Sequence, residues 1–212
     1  MQTITEIAIQ KAHDNIFTRN EAALWVDNSG ARLDALLKRA VAAGEILRIR
    51  RGLFCLADRY RHKPIHTFGL AQRIHGPSYI SLESALAHHG WIPEAVYTVA
   101  SISTKRARDF DTPLGYFSYT CIPQSPLFAG VHRIIVDSYT CFFVASPLKA
   151  LADYVYVNRC NWDGQTPVIG SLRVDETELA TLTAASFDEL SSVYRSGRVL
   201  RFLASIRKEL HV

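Results

Sequence analysis

Between Ala31 and Leu56 the chain has little freedom in what it can fold into. Leu33, Leu36, Leu37, Ala40 and Val41 recur at helical spacing, so one face of a helix must be buried. At about 100° per residue the opposite face carries Ala35 and Ala42, flanked by Arg32 and Arg39 on one side and Lys38 on the other. Gly44 then stops the helix. From Ile46 the period changes to two, Leu47 and Ile49 alternating with Arg48 and Arg50, which predicts a half-buried strand. Arg51-Gly52 supplies a tight turn, and Leu53-Phe54-Cys55-Leu56 returns as an apolar strand. The expectation is a helix followed by a hairpin whose tip and outer face are rich in arginine.

Two capping boxes precede this stretch. Thr3-Ile4-Thr5-Glu6 opens a helix carrying Ile4, Ile7, Ala8 and Ala12, and Thr18-Arg19-Asn20-Glu21 opens a shorter one through Trp25. Asp27-Asn28-Ser29-Gly30 is a turn cluster that also offers a cap to the next helix. Helix, short helix, turn, helix and basic hairpin, in that order, predict a winged helix-turn-helix over residues 1–60 that meets double-stranded DNA. Small alanines between basic residues let a helix approach a groove closely while guanidinium groups reach base edges or phosphates. On this reading Arg32, Ala35 and Arg39 face the major groove, with Ser29 at the helix N-terminus and Lys38 against phosphate. Arg48, Arg50 and Arg51 contact backbone or minor groove, and loss of Arg50 is expected to weaken binding evenly across sequences.

The charge distribution agrees. Residues 1–63 hold eleven Lys and Arg against seven Asp and Glu, whereas residues 64–212 hold thirteen of each. The whole net charge of +4 therefore sits in the first third of the chain, as expected where one module meets a polyanion. The N-terminus has neither the basic start nor the apolar run of a signal peptide, and no apolar stretch is long enough to span a membrane. Cys55, Cys121, Cys141 and Cys160 are widely scattered, a spacing that fits neither a zinc site nor a secreted disulfide framework. A cytoplasmic protein is expected.

Residues 58–64 form a polar connector ending in Pro64, and a second domain is expected over 65–212. Its pattern reads as a helix from Ile65 to Ile74, a strand at Tyr79-Ile80-Ser81, and a helix from Leu82 to His89. Strands follow at Tyr97–Ile102, Tyr116–Ile122, Arg133–Val136 and Thr140–Val144. Ser146-Pro147 opens a helix to about Val157, and Ser186-Phe187-Asp188-Glu189 opens a long one carrying Leu190, Val193, Gly197, Leu200 and Ala204. Clustered strands with helices before and after make the fold class α+β, a winged helix-turn-helix followed by a larger α+β domain.

No catalytic arrangement stands out in this second domain. His88 and His89 are adjacent and cannot share a metal at i, i+4 spacing, while Asp109 and Asp111 beside Lys105, Arg106 and Arg108 read as an exposed charged turn. Glu94, Asp109, Asp111 and Lys105 could be assembled into a metal-dependent nuclease only on paper. No phosphate-binding glycine loop or nucleophile elbow is present. The expectation is a binding module rather than an enzyme, with no catalytic residue, metal ligand or cofactor assigned.

Several stretches together resemble the AbiEi family of antitoxins from bacterial type IV toxin–antitoxin (abortive-infection) systems. They are Arg51-Gly52-Leu53-Phe54, Tyr79-Ile80-Ser81-Leu82-Glu83-Ser84-Ala85-Leu86, His89-Gly90-Trp91-Ile92-Pro93 and Ser103-Thr104-Lys105-Arg106. The last is Ala145-Ser146-Pro147-Leu148-Lys149-Ala150-Leu151-Ala152-Asp153. The resemblance implies a winged helix that binds operator repeats in its own promoter and represses its own operon. It also implies a C-terminal domain that counteracts a nucleotidyltransferase-like toxin without forming a stable complex. The alternative is a ligand-responsive winged-helix transcription factor with no toxin partner.

Overall fold

Both capping boxes form. Thr3 Oγ1 accepts from the Glu6 amide and the Glu6 carboxylate accepts from the Thr3 amide, opening α1 (Ile4–Lys11). Thr18 and Glu21 do the same for α2 (Arg19–Val26). These come from a computed structural model that describes residues 3–28, 30–94 and 96–212. Among those residues the chain is α+β, with ten α-helices and two sheets. No helix among them is long and apolar enough to cross a membrane. α3 (Ala31–Ala42) starts at Gly30, which brings no side chain to the cap; Ser29, expected at this end, lies outside the described residues. Leu33, Leu37 and Ala40 are buried and Leu36 and Val41 half-buried, so the apolar stripe packs as its spacing requires.

The hairpin is β2 (Ile46–Arg50) and β3 (Leu53–Leu56), turning at Arg51-Gly52, where Gly52 has φ +76° and accommodates the positive torsion without steric cost. A third strand, β1 (Ile16–Thr18), pairs antiparallel with β3 and makes the order β1-β3-β2. Three residues between two helix signals are too few to show a period, so this strand is not visible in the sequence. All four residues of β3 are buried. Phe54 and Leu56 join Phe17, Ile46 and the stripes of α1 and α3 in one apolar cluster. Leu53 and Cys55 face the other way, with Ile16 and Ile49, into the cluster built by the rest of the chain. The small sheet is thus a wall shared by two cores.

That wall corrects the reading of the hairpin's outer face. A period of two puts Arg48 and Arg50 on one face, but a β-bulge falls between them: Arg48 pairs with Phe54 and Arg50 with Leu53. Arg48 keeps the helix-side face at its exposed end. Arg50 is moved across the sheet to the face that meets the second module, where it is half-buried. Its Nη1 donates to the Arg51 carbonyl at 2.9 Å and its Nη2 to the Arg73 carbonyl at 3.2 Å.

The second module begins with α4 (Thr67–Ile74), which meets the first module through Arg73. That guanidinium donates to Asp14 at 2.7 Å and to Glu21 at 3.2 Å, so the carboxylate that caps α2 is also held from the second module. The connector is fastened on both sides: Asn15 Nδ2 donates to the Lys63 carbonyl at 2.9 Å, and the Lys63 ammonium meets Asp137 at 2.5 Å. A mixed six-stranded sheet follows in the order β6-β7-β5-β4-β9-β8. Its strands are β4 (Ser78–Ile80), β5 (Thr98–Ser103), β6 (Arg108–Thr112), β7 (Gly115–Cys121), β8 (Val131–Ile135) and β9 (Cys141–Ala145). α5 (Leu82–His88) stands between β4 and β5, and α6 (Pro147–Val157) starts at the Ser146 cap with proline in the first turn, as expected. α4 covers one sheet face, where the Tyr119 hydroxyl donates to the Ala71 carbonyl; the preceding residue, Ser118, faces Leu82 and Tyr154 on the other.

Two expectations change here. Residues 108–112 form edge strand β6 rather than a charged turn: Arg108 and Phe110 point to one face and Asp109 and Asp111 to the other, a polar alternation that hides a strand from an apolar-pattern reading. The long helix from Ser186 is broken. After α7 (Thr166–Leu172) and α8 (Glu176–Leu179) come α9 (Ala184–Leu190) and α10 (Gly197–Leu210), separated by a turn. The Ser186–Glu189 box does not form: α9 starts at Ala184 after Thr183, which puts Ser186 inside the helix, and Glu189 Oε1 accepts from the Gly130 amide at 2.8 Å, 59 residues away in sequence. The break at 191–196 lets Tyr194 turn inward.

Tyr194 completes a buried polar network at the centre of this module. The Asp153 carboxylate accepts from the hydroxyls of Tyr79 (2.8 Å), Ser81 (2.7 Å) and Tyr194 (2.6 Å). Lys149, one turn earlier on α6, lies 3.7 Å from Asp153, donates to Gln124 Oε1, and places its ammonium 4.4 Å from the centre of the Tyr194 ring. Lys149 and Asp153 are both fully buried. Burial, with the Asp153 charge added, holds the Tyr79 and Tyr194 phenols well above their ordinary pKa, so they stay protonated as donors.

Candidate nucleic-acid interface

A groove of about 660 Å³ runs between α3 and the β2–β3 hairpin. Leu37 and Val41 with Phe54 form its floor, and Lys38, Arg48, Arg51 and Arg19 bring positive charge to its walls. Arg19, the first residue of α2, is the cation the sequence reading missed, since there it counts only as part of a capping box. Its amide donates to the Gly52 carbonyl at 2.9 Å, which ties the start of α2 to the hairpin turn. Its guanidinium grips Asp34 with two donors, at 2.7 and 3.1 Å. This hydrogen-bonded pair raises the Arg19 pKa and lowers that of Asp34, so the one carboxylate in the groove stays ionised and committed to its neighbour.

The other expected residues fall into two sets. Arg32, Ala35, Lys38 and Arg39 are all exposed on α3, with Ala35 near the middle of the arc. Lys38 turns towards the hairpin, whereas Arg32 and Arg39 lie on the flank away from it, as the helical angles require. Arg39 Nε rests on the Ala35 carbonyl at 3.3 Å and must swing outward to reach a ligand. Arg48 and Arg51 are exposed in the groove wall. Arg50 is not brought to this site; the bulge sends it to the module interface.

Further cations stand where the hairpin meets the second module. Lys105, Arg108 and Arg50 all act on the half-buried His75 ring, whose pKa is lowered first by burial and then by these charges. The residues considered for a nuclease are dispersed: Glu94 pairs with Arg173 at 3.0 Å, and Asp109 hydrogen-bonds Tyr116. Among the described residues no three His, Cys, Asp or Glu side chains gather closely enough to hold a metal ion. His88 packs on Phe68 and Phe142, and His89 Nε2 lies 2.8 Å from the Ala145 carbonyl, so burial depresses both imidazoles.

Comparison with models of protein families and with curated proteins finds no match to this chain.

Proposed function

We propose that residues 1–60 are a winged helix-turn-helix that binds double-stranded DNA, with α3 entering the major groove and the β2–β3 hairpin acting as the wing. The observation that carries this reading is the groove between α3 and the hairpin, walled by Lys38, Arg48, Arg51 and Arg19, whose single carboxylate is already neutralised by Arg19. A polyanion backbone suits such a surface, because each phosphate that meets a cation releases condensed counterions. The alanines at 31, 35 and 42 leave the outer arc of α3 flat enough to enter a groove. Arg32 and Arg39 stand on one flank as base readers and Lys38 on the other as a phosphate contact. Arg50 drops out of the DNA-contacting set and becomes a brace between wing and second module.

On the strength of the AbiEi resemblance, the chain is an antitoxin that represses its own operon through this module. Residues 65–212 counteract a nucleotidyltransferase-like toxin without chemistry of their own. The Tyr79-Ile80-Ser81 and Ser146–Asp153 stretches, which carry much of that resemblance, meet at the buried Asp153 carboxylate and so act by shaping the module.

The test is an electrophoretic shift of the DNA preceding the chain's own coding sequence, in the presence of non-specific competitor. Arg39→Ala is expected to weaken the specific complex by about 1–3 kcal/mol if it reads a base. A variant with Lys38, Arg48 and Arg51 all changed to alanine is expected to lose the complex; wild-type binding by that variant overturns the assignment.

A further inference from the structure

On the sheet face opposite α4, a second concavity of about 530 Å³ opens where the C-terminal end of α6 meets the start of α10. Three arginines line it: Arg159 just after α6, Arg195 in the turn before α10, and Arg198 in the first turn of α10. Among the described residues no carboxylate lines it. Five arginines elsewhere are matched to acids, in the pairs Arg19–Asp34, Arg61–Asp58, Arg73–Asp14, Arg173–Glu94 and Arg207–Asp188. Here the Arg198 side chain donates to the Asn161 side-chain carbonyl at 3.1 Å, and the guanidinium groups of Arg159 and Arg195 form no hydrogen bond or ion pair among the described residues. Three guanidinium groups repel one another, so a fold that converges them without an acid leaves the cluster short of negative charge. Arg159 takes φ +55° as the left-handed residue that closes α6, where the Cys160 amide donates to the Val155 carbonyl at 3.1 Å, and this places its side chain at the end of the helix.

We propose that this concavity binds a phosphate group. The planar guanidinium fork matches tetrahedral oxyanions with paired N–H donors, and three such forks around one hollow can meet a dianion on several oxygens at once. The hollow also shows what the phosphate is attached to. Val157 belongs both to this concavity and to a neighbouring groove of about 660 Å³ with Leu82, Ile92 and Leu172 in its walls. Tyr156 stands beside the arginines. A phosphomonoester with an apolar or aromatic body therefore fits better than free phosphate, its head on the arginines and its body along Val157. The site lies on the far side of the sheet from α4 and the DNA-contacting module, and it does not depend on the DNA reading.

The experiment is isothermal titration of the full chain with inorganic phosphate and, separately, with phenyl phosphate, at constant ionic strength. Phenyl phosphate is expected to bind more tightly than phosphate. Arg159→Ala with Arg195→Ala is expected to weaken both by about tenfold or more, from the loss of charge-assisted hydrogen bonds. The double lysine variant is expected to recover part of the loss through charge alone. Arg201→Ala with Lys208→Ala, exposed cations of α10 outside the concavity, is expected to leave the titration unchanged. Equal binding by the Arg159/Arg195 alanine variant, loss of binding in the Arg201/Lys208 variant instead, or no heat with either ligand overturns the proposal. Phosphate binding as tight as phenyl phosphate overturns the assignment of an ester.

Discussion

Replacing Arg48 and Arg51 together by alanine tests the interface at its most specific point, because Arg50 between them provides an internal control. Arg48 and Arg51 are exposed on the groove wall, while Arg50 is half-buried with its guanidinium on the Arg51 and Arg73 carbonyls. Each cation that meets one phosphate contributes about 0.9 to the slope of log affinity against log salt. Loss of two such contacts makes the slope shallower by about 1.8. Between about 50 and 200 mM salt, a fourfold change, wild type is expected to lose roughly tenfold more affinity than the double variant. Arg50→Ala is expected to leave the slope where it was and to cost about 1–3 kcal/mol of folding stability, from hydrogen bonds to a charged donor in a half-buried place. Fluorescence anisotropy with a labelled duplex of arbitrary sequence reads the slopes, and urea unfolding reads the stabilities. The reasoning fails if the double variant keeps the wild-type slope. It fails equally if Arg50→Ala flattens the slope while leaving the unfolding midpoint unmoved.

Two further perturbations probe the body of the protein. Asp153→Ala leaves the hydroxyls of Tyr79, Ser81 and Tyr194 buried without their acceptor and the Lys149 ammonium buried without its counter-charge, and is expected to cost about 3–5 kcal/mol; a urea midpoint close to wild type would contradict the network. Acid is expected to act in two stages. Burial lowers the pKa of His66, His75, His88 and His89, so below an ordinary imidazole value of about 6.5 the unfolded chain takes up protons that the folded one refuses, and stability falls. The Asp137 carboxyl is held down to about 2, chiefly by the hydrogen bond from Lys63. Its contribution is present above an ordinary carboxyl value of about 4 and is lost as the pH falls from there towards 2. Lys63→Ala is expected to shrink the second stage, to which Asp34 also contributes, and to spare the first, read from urea midpoints across the range; a midpoint that does not move between about pH 7.5 and 5 would contradict the first stage.

What the sequence discloses about this fold follows from how local each determinant is. The capping boxes at Thr3 and Thr18 and the Ser146-Pro147 start are complete within four residues, and each opens a helix where the pattern places it. The stripe of α3 is equally local. The failures all involve a partner far along the chain. At Ser186 the helix is already under way from Ala184, and Glu189 is held by the distant Gly130 amide. β6 is hidden because its alternation is charge against charge, with Phe110 its one large apolar residue. Arg50 is misassigned because a bulge of one residue reverses every later side chain, and no period can show a bulge that the partner strand imposes. Arg19 escaped notice because its place in the groove depends on the Gly52 turn closing against α2.

The same bulge has a consequence for how the two modules work together. Since Arg50 and Arg73 lie on one side of the small sheet and Arg48 on the other, the hairpin that carries the groove wall is also the surface on which the second module rests. Arg73 then reaches past the sheet to Asp14 and to Glu21, which caps the helix before α3. Hairpin and helix pair are therefore both held from α4, through one arginine side chain and its own carbonyl. A displacement of α4 moves Lys38 and Arg48 relative to each other only if those bonds stretch, and several charge-assisted bonds in a half-buried place resist that. The groove is thus braced twice, within the first module by Arg19, which joins the hairpin turn to Asp34 on α3, and from the second module through Arg73. If the groove binds DNA as proposed, loosening the Arg73 contacts is expected to weaken that binding although Arg73 itself lies outside the groove.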